Sequence, residues 1–228
     1  MRPPDFIFML TRNDRTVEDA MAHVECAARA GLGHIGFKDV GLPPTSLKAL
    51  HEAIRACGAR SYLEVVSLDR EREAASVRAA IEIGVDCVLG GVHADDAGPM
   101  LQDAGIRYYP FPGRVSGHPS VLEGEAVEIV ASARDLAARP GVDGLDLLAW
   151  RSRLDAGALI RAVCAAVAKP VIVAGSIAAP EQIDMVRAGQ AAGFTVGTAA
   201  LEGRFPAPGR DLPSQLAAIS AACSRTLN

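Results

Sequence analysis

The chain has 228 residues, half of them hydrophobic and only 4% aromatic, with 23 basic and 27 acidic side chains and a formal net charge of −4. That length can bury one large core, built from Ala, Val, Leu and Ile rather than from rings; the charge balance, without a basic tract, excludes nucleic acid and an anionic membrane as expected partners. No apolar run reaches the roughly 18 residues of a membrane span, and Met1-Arg2-Pro3-Pro4-Asp5 before a short apolar run makes a poor signal peptide, so a soluble, cytoplasmic protein is expected.

In chain order, Asp5 to Thr11 reads as a first strand, and Thr16-Val17-Glu18-Asp19 opens a helix with a hydroxyl cap and acids in its first turn, stopping at Gly31. His34 to Asp39 is the second strand, with a helix from Thr45 or Ser46 to near Gly58. Ser61 to Ser67 is the third, leading to a charged helix that stops at Gly84. Cys87 to Val92 is the fourth, with a short helix ending at Gly105, and Arg107 to Phe111 is the fifth. A longer loop through Gly113-Arg114-Val115-Ser116-Gly117-His118-Pro119 precedes a helix that ends at Pro140-Gly141. Gly144 to Trp150 is the sixth strand, and Asp155 caps the helix that runs to Ala168. Val171 to Gly175 and Phe194 to Gly197 are the seventh and eighth, with helices at 180–190 and 214–226 and a short extra turn at Leu201-Glu202-Gly203. Cys26, Cys57, Cys87, Cys164 and Cys223 are odd in number, widely spaced and mostly on apolar helical faces, which predicts buried free thiols rather than a metal site or disulfides.

Strand–helix units repeating about every 28 residues, with no linker between them, predict a parallel sheet, and eight of them in this length predict a closed (β/α)8 TIM barrel spanning residues 1–228 as one domain. A doubly wound sheet would carry its phosphate glycines after the first strand, where this chain has Thr11-Arg12-Asn13. Here the glycines come late. Val171-Ile172-Val173-Ala174-Gly175-Ser176 and Phe194-Thr195-Val196-Gly197-Thr198 each end an apolar run on glycine plus a hydroxyl, a combination that lets backbone amides approach an anion.

Strand alternation selects the chemistry. With Ile35 and Phe37 outward, Lys38 points into the barrel at its top; with Leu63 and Val65 outward, Glu64 points in beside it; with Leu145 and Leu147 outward, Asp146 points in. Buried alone, each would carry a heavy desolvation cost, so the three are expected to form one mutually neutralising set and to be catalytic. Lys38 would form a Schiff base or, protonated, stabilise an enolate, while Glu64 or Asp146 moves the proton. Asn13, His93 and Arg114 follow the first, fourth and fifth strands and are candidate substrate contacts, Arg114 for a carboxylate or phosphate in a loop that could close. His93-Ala94-Asp95-Asp96 lacks a second inward histidine, so no metal and no other cofactor is expected.

The two glycine-hydroxyl turns resemble the paired phosphate grip of the ribulose-phosphate-binding barrels, the superfamily of phosphoribosyl isomerases, indole-glycerol-phosphate synthase and sugar-phosphate decarboxylases. The stretch Lys38-Asp39-Val40-Gly41-Leu42-Pro43-Pro44-Thr45 is similar to the second-strand segment of orotidine-phosphate and ketogulonate-phosphate decarboxylases. Those decarboxylases carry Asp-x-Lys-x-x-Asp on the third strand; this chain has Tyr62-Leu63-Glu64-Val65-Val66-Ser67. The resemblance implies that Gly175, Ser176, Gly197 and Thr198 hold the phosphate of a small phosphorylated sugar or sugar acid, acted on by a lyase (aldolase or decarboxylase) or an isomerase. The other expectation left open is a non-catalytic barrel that binds a phosphometabolite as a sensor or partner subunit. Barrels of this size often form homodimers through outer helices, and no exposed apolar stripe decides the matter here.

Overall fold

Most barrel strands are short buried runs entered from a glycine, a proline or a short polar turn. The computed structural model describes residues 3–225, so Met1-Arg2 and the last position of the expected final helix, 226, lie outside the described residues. The barrel strands are β1 (Asp5–Met9), β2 (His34–Lys38), β3 (Arg60–Val65), β4 (Cys87–Gly90), β5 (Arg107–Tyr109), β6 (Leu145–Leu147), β7 (Val171–Val173) and β8 (Gly193–Val196). The helices are α1 (Ala20–Arg29), α2 (Pro44–Ala56), α3 (Arg70–Ile83), α4 (Ala94–Asp103), α5 (Ala126–Ala138), α6 (Ala156–Ala166), α7 (Pro180–Ala188), α8 (Thr198–Leu201) and α9 (Leu212–Ser224).

All eight strands run parallel in the order β6-β7-β8-β1-β2-β3-β4-β5. The circle closes between β5 and β6 without a regular ladder: Asp143 N and Gly144 N donate to Tyr108 O at 2.8 and 3.3 Å, and Asp146 N donates to Pro110 O at 3.0 Å. This is the eight-stranded α/β barrel that the strand–helix repeat predicts.

Alternation sorts the side chains into two cores. The larger lies between strands and helices and includes Phe8, Ile35, Phe37, Leu63, Val65, Leu145 and Leu147. A small inner core of Ile7, Met9, Tyr62, Cys87, Leu89, Tyr109 and Ile172 fills the lower barrel. Gly36 and Gly144 supply the space: a Cβ there would collide with the Met9 sulfur and the Tyr109 ring. A fully buried Leu63 contributes about 1.5–3 kcal/mol by area, and truncating it to Ala would cost about 2–5 kcal/mol once the cavity is included.

The helix signals hold where a cap is local. Asp69 accepts from Arg72 N, Asp155 from Ala158 N, and α3 stops at the left-handed Gly84. Three expectations are corrected. Helix α1 begins at Ala20, not Thr16, because Arg15–Thr16 pairs antiparallel with Thr11–Arg12 in a first two-stranded ribbon. The loop after β5 is a second ribbon, Arg114–Ser116 against Val121–Glu123. Strand β6 ends at Leu147, and Ala149–Arg151 is a 3-10 turn, so Trp150 is not on a strand. Among the cysteines, Cys57 is exposed and Cys87 lies on β4 inside the barrel, while the described thiols are all free. No helix among the described residues is long and apolar enough to cross a membrane.

Candidate active site at the carboxyl ends of the strands

At the top of the inner core the lining changes from apolar to ionic. Lys38, Glu64 and Asp14 are each about nineteen-twentieths buried, at 3%, 4% and 5% exposure. Lys38 Nζ donates to Glu64 Oε1 at 2.9 Å and to Asp14 Oδ1 at 3.0 Å. Arg151 grips the same Asp14 with both terminal nitrogens, Nη1 to Oδ2 at 2.5 Å and Nη2 to Oδ1 at 2.7 Å. The result is an alternating row, Glu64, Lys38, Asp14, Arg151, of two anions and two cations. Each charge is flanked only by opposite ones, which is how a low-dielectric site tolerates four of them.

The local sequence explains how Asp14 gets there. Asn13 and Asp14 form the two-residue turn of the first ribbon with φ of 50° and 57°, a left-handed conformation that Asn and Asp tolerate better than most residues. Thr16, the next ribbon residue but one, accepts from Lys38 N and donates to Lys38 O, both at 2.8 Å. The hydroxyl expected to cap a helix instead fastens the ribbon to the end of β2.

Burial and charge set the protonation states. Burial alone would raise the Asp14 carboxyl, but hydrogen bonds and charge from Arg151 and Lys38 reverse it and hold it far below the usual carboxylate range. Burial opposes the Lys38 ammonium, yet the charges of Glu64 and Asp14 win and raise its pKa, so it stays protonated. Asp146 is 0% exposed, and neither carboxyl oxygen has a hydrogen-bond partner among the described residues. Burial, then repulsion from Glu64, raises its pKa well above normal against the pull of Lys38 and Arg151, which favours its protonated form.

Opposite this side-chain wall lies a backbone wall. Gly175 and Ser176 are left-handed, with φ of 88° and 61°, and Gly197 precedes α8. A Cβ on Gly197 would sit 2.7 Å from Thr11 Oγ1 and 2.9 Å from Thr11 O, so only glycine lets β8 end against the β1 turn. The Thr198 hydroxyl donates to Thr11 O at 3.4 Å. The amides of Gly175, Ser176, Thr198 and Ala199 make no hydrogen bond among the described residues.

One cavity of about 580 Å³ joins the two walls; it is lined by Asn13, Asp14, Lys38, Glu64, Arg151, Gly175, Ser176, Gly197 and Thr198, with Ser120 of the second ribbon above. Lys38, Glu64, Asn13 and all four residues of the glycine-hydroxyl turns are thus brought together. Three expected site residues are placed elsewhere. Arg114 is largely exposed and reaches across its ribbon to Glu123 at 3.3 Å, outside the cavity. His93 Nδ1 is held at 2.8 Å by Glu73, a 1%-exposed acid on α3 that also takes the Val92 and His93 amides. Asp146 faces the barrel interior but does not line the cavity.

Asp14, Ser120, Arg151 and Arg204 are polar cavity residues that strand alternation does not reveal. Asp14 had a signal, since Asn-Asp is a hairpin turn pair; Arg151 had only its position just past a strand end. Among the described residues no cluster of three His, Cys, Asp or Glu side chains is arranged to hold a metal ion.

No family model matches the chain, and no curated protein matches it by sequence. Solved structures do match its fold. A native KDPGal structure is 18% identical over 95% of this chain and 93% of that one, with a TM-score of 0.65. Ligand-free tryptophan synthase from M. tuberculosis is 16% identical over 97% and 92%, with a TM-score of 0.66. The tryptophan synthase complex from Pyrococcus furiosus is 17% identical over 96% and 97%, with a TM-score of 0.65. At these identities the chain shares with them the (β/α)8 barrel.

Proposed function

We propose that this barrel is an enzyme acting on a small phosphorylated sugar or sugar acid, a lyase or an isomerase working through an enolate. The observation that carries the reading is the single cavity with unengaged amides at Ser176 and Thr198 on one side and the Lys38 ammonium and Glu64 carboxylate on the other. Phosphate on the backbone wall would hold the substrate's carbon chain against the side-chain wall.

An ammonium has three donors, and Lys38 spends two on carboxylates, leaving one for a carbonyl oxygen that becomes negative. Glu64 takes Lys38 on one oxygen only; the other makes no hydrogen bond among the described residues and, in this reading, accepts a proton from the carbon beside that carbonyl. A protonated Lys38 between two anions favours this electrostatic role over a Schiff base, which needs the neutral amine. The barrel fold shared with KDPGal and tryptophan synthase is compatible with this reading, and the cavity residues are what support it.

A thermal-shift screen of sugar phosphates, followed by turnover assays on each stabilising compound with wild-type and Lys38→Met protein, tests the proposal. Unchanged turnover in Lys38→Met ends it. Borohydride treatment during turnover should trap no adduct at Lys38. The saturated pairing of Asp14, which lies between two cations, favours a second reading, a barrel that binds a phosphometabolite without converting it. That reading predicts stabilisation by the same compounds, no product, and tolerance of Glu64→Gln.

A further inference from the structure

Arg151 crosses the wall assigned to phosphate. Its side chain lies over Gly175 so closely that a Cβ on that glycine would meet Arg151 Cγ at 2.8 Å, Cδ at 3.1 Å and Nε at 3.2 Å. The left-handed glycine of the β7 turn is therefore required twice, for its φ of 88° and for the passage of this arginine. Both terminal nitrogens are committed: Nη1 and Nη2 to Asp14, and Nη1 also to Ser120 O at 3.4 Å. The Nε–H makes no hydrogen bond among the described residues, and Nε lies over Gly175, whose amide and that of Ser176 are likewise unengaged. Arg151 is itself four-fifths buried and lines the cavity.

We propose that Arg151 is the side-chain donor of the anion site, contacting a phosphoryl oxygen through Nε while Asp14 clamps its far edge. This rests on the phosphate-binding reading above and adds a specificity residue to it. A guanidinium held by a carboxylate on one edge presents a fixed, charge-assisted donor where the backbone turns supply only dipoles. The site should then prefer dianionic phosphate esters to neutral or monoanionic groups of the same shape. Asp14 becomes a positioning residue that ties the anion contact to Lys38, since one carboxylate holds both cations.

The test is isothermal titration of inorganic phosphate into the wild-type, Arg151→Gln and Arg151→Lys proteins, each first checked for cooperative unfolding. Arg151→Gln should weaken phosphate binding about tenfold or more, the expected loss for one charge-assisted hydrogen bond, and Arg151→Lys should recover only part of it. Millimolar methylguanidinium should restore binding to Arg151→Gln, which a merely structural role for the arginine would not produce. Phosphate that binds the wild type and Arg151→Gln equally overturns this inference and leaves the backbone grip standing. Phosphate that fails to bind the wild type removes both. Should the variants not fold, a phosphate-soaked crystal of the wild type decides: an oxygen within hydrogen-bond reach of Nε supports the inference, and phosphate seated on Ser176 and Thr198 away from Nε overturns it.

Discussion

The two walls of the cavity solve the same problem, presenting charge to a ligand inside a barrel, by opposite means. The wall from β1, β2, β3 and the turn after β6 uses side chains, a balanced row of four ions that neutralise one another before any ligand arrives. The wall after β7 and β8 is built on main-chain amides freed by glycine, with Arg151 crossing it from the ionic row and Arg204 at the cavity's edge. An ionic row is easily unbalanced, because removing one member strands its neighbours in low dielectric. A backbone wall is insensitive to side-chain chemistry and sensitive to shape. Perturbing Lys38 or Glu64 in the first should change the chemical step; perturbing the second, or the Arg151 that crosses it, should change binding.

The sharpest way to break that contrast is Lys38→Met. Turnover should fall about a thousandfold, the scale of an electrostatic stabiliser, with a stability loss of about 3–5 kcal/mol because Asp14 and Glu64 lose their shared cation. Steady-state kinetics and urea unfolding measure the two separately. Glu64→Gln should lower kcat about a hundredfold with KM nearly unchanged, as expected for a proton carrier that does not grip the substrate. A KM effect larger than the kcat effect would place Glu64 on the binding side instead.

Gly197→Ala probes the other wall. Its Cβ would strike the Thr11 carbonyl and the Met9 carbonyl at 2.9 and 3.0 Å, backbone atoms that cannot swing aside, so KM should rise severalfold and stability fall by about 1–3 kcal/mol. A variant that loses kcat at unchanged KM would erase the division between the walls.

The pH dependence of stability separates the two buried acids. Asp14 has a depressed pKa, so its contribution is complete above the unfolded value of about 3.9 and drains away as pH falls below it. Asp146 has the opposite sign: its folded pKa is raised, so the folded state holds a proton the unfolded chain releases, and stability declines as pH climbs above about 3.9 toward the folded value. Asp146→Asn should flatten that decline in thermal melts taken across the pH range. The smallest effect is reserved for Arg114→Ala, which removes an exposed ribbon pair and should change kcat/KM less than twofold.

Much of the side-chain wall was legible because β-strand alternation is strict. Once Phe37 and Leu63 are assigned to the outer core, Lys38 and Glu64 must face inward, and the register pairs them directly. The rest was hidden wherever that period stops. Arg151 lies in a 3-10 turn beyond β6, where no two-residue rule assigns a face. Asp14 depends on a ribbon whose second strand, Arg15–Thr16, is too short to show a pattern, and the Thr16 hydroxyl is equally suited to a helix cap. His93 and Arg114 point away from the cavity for a related reason. They sit at the correct end of the barrel, but Glu73 and Glu123, not the cavity, decide where their side chains point.

The join between β5 and β6 has a bearing on Asp146. Elsewhere around the cylinder each strand is zipped to both neighbours, whereas among the described residues this join is stitched by the amides of Asp143, Gly144 and Asp146 and by Tyr108 N, which donates to the Asp143 side chain at 2.9 Å. Breathing motions should part the staves here first, and deuterium uptake should begin at these amides before it reaches β2 or β3. Such an opening would give water a route to the sequestered acid from the side, one that bypasses the ligand altogether.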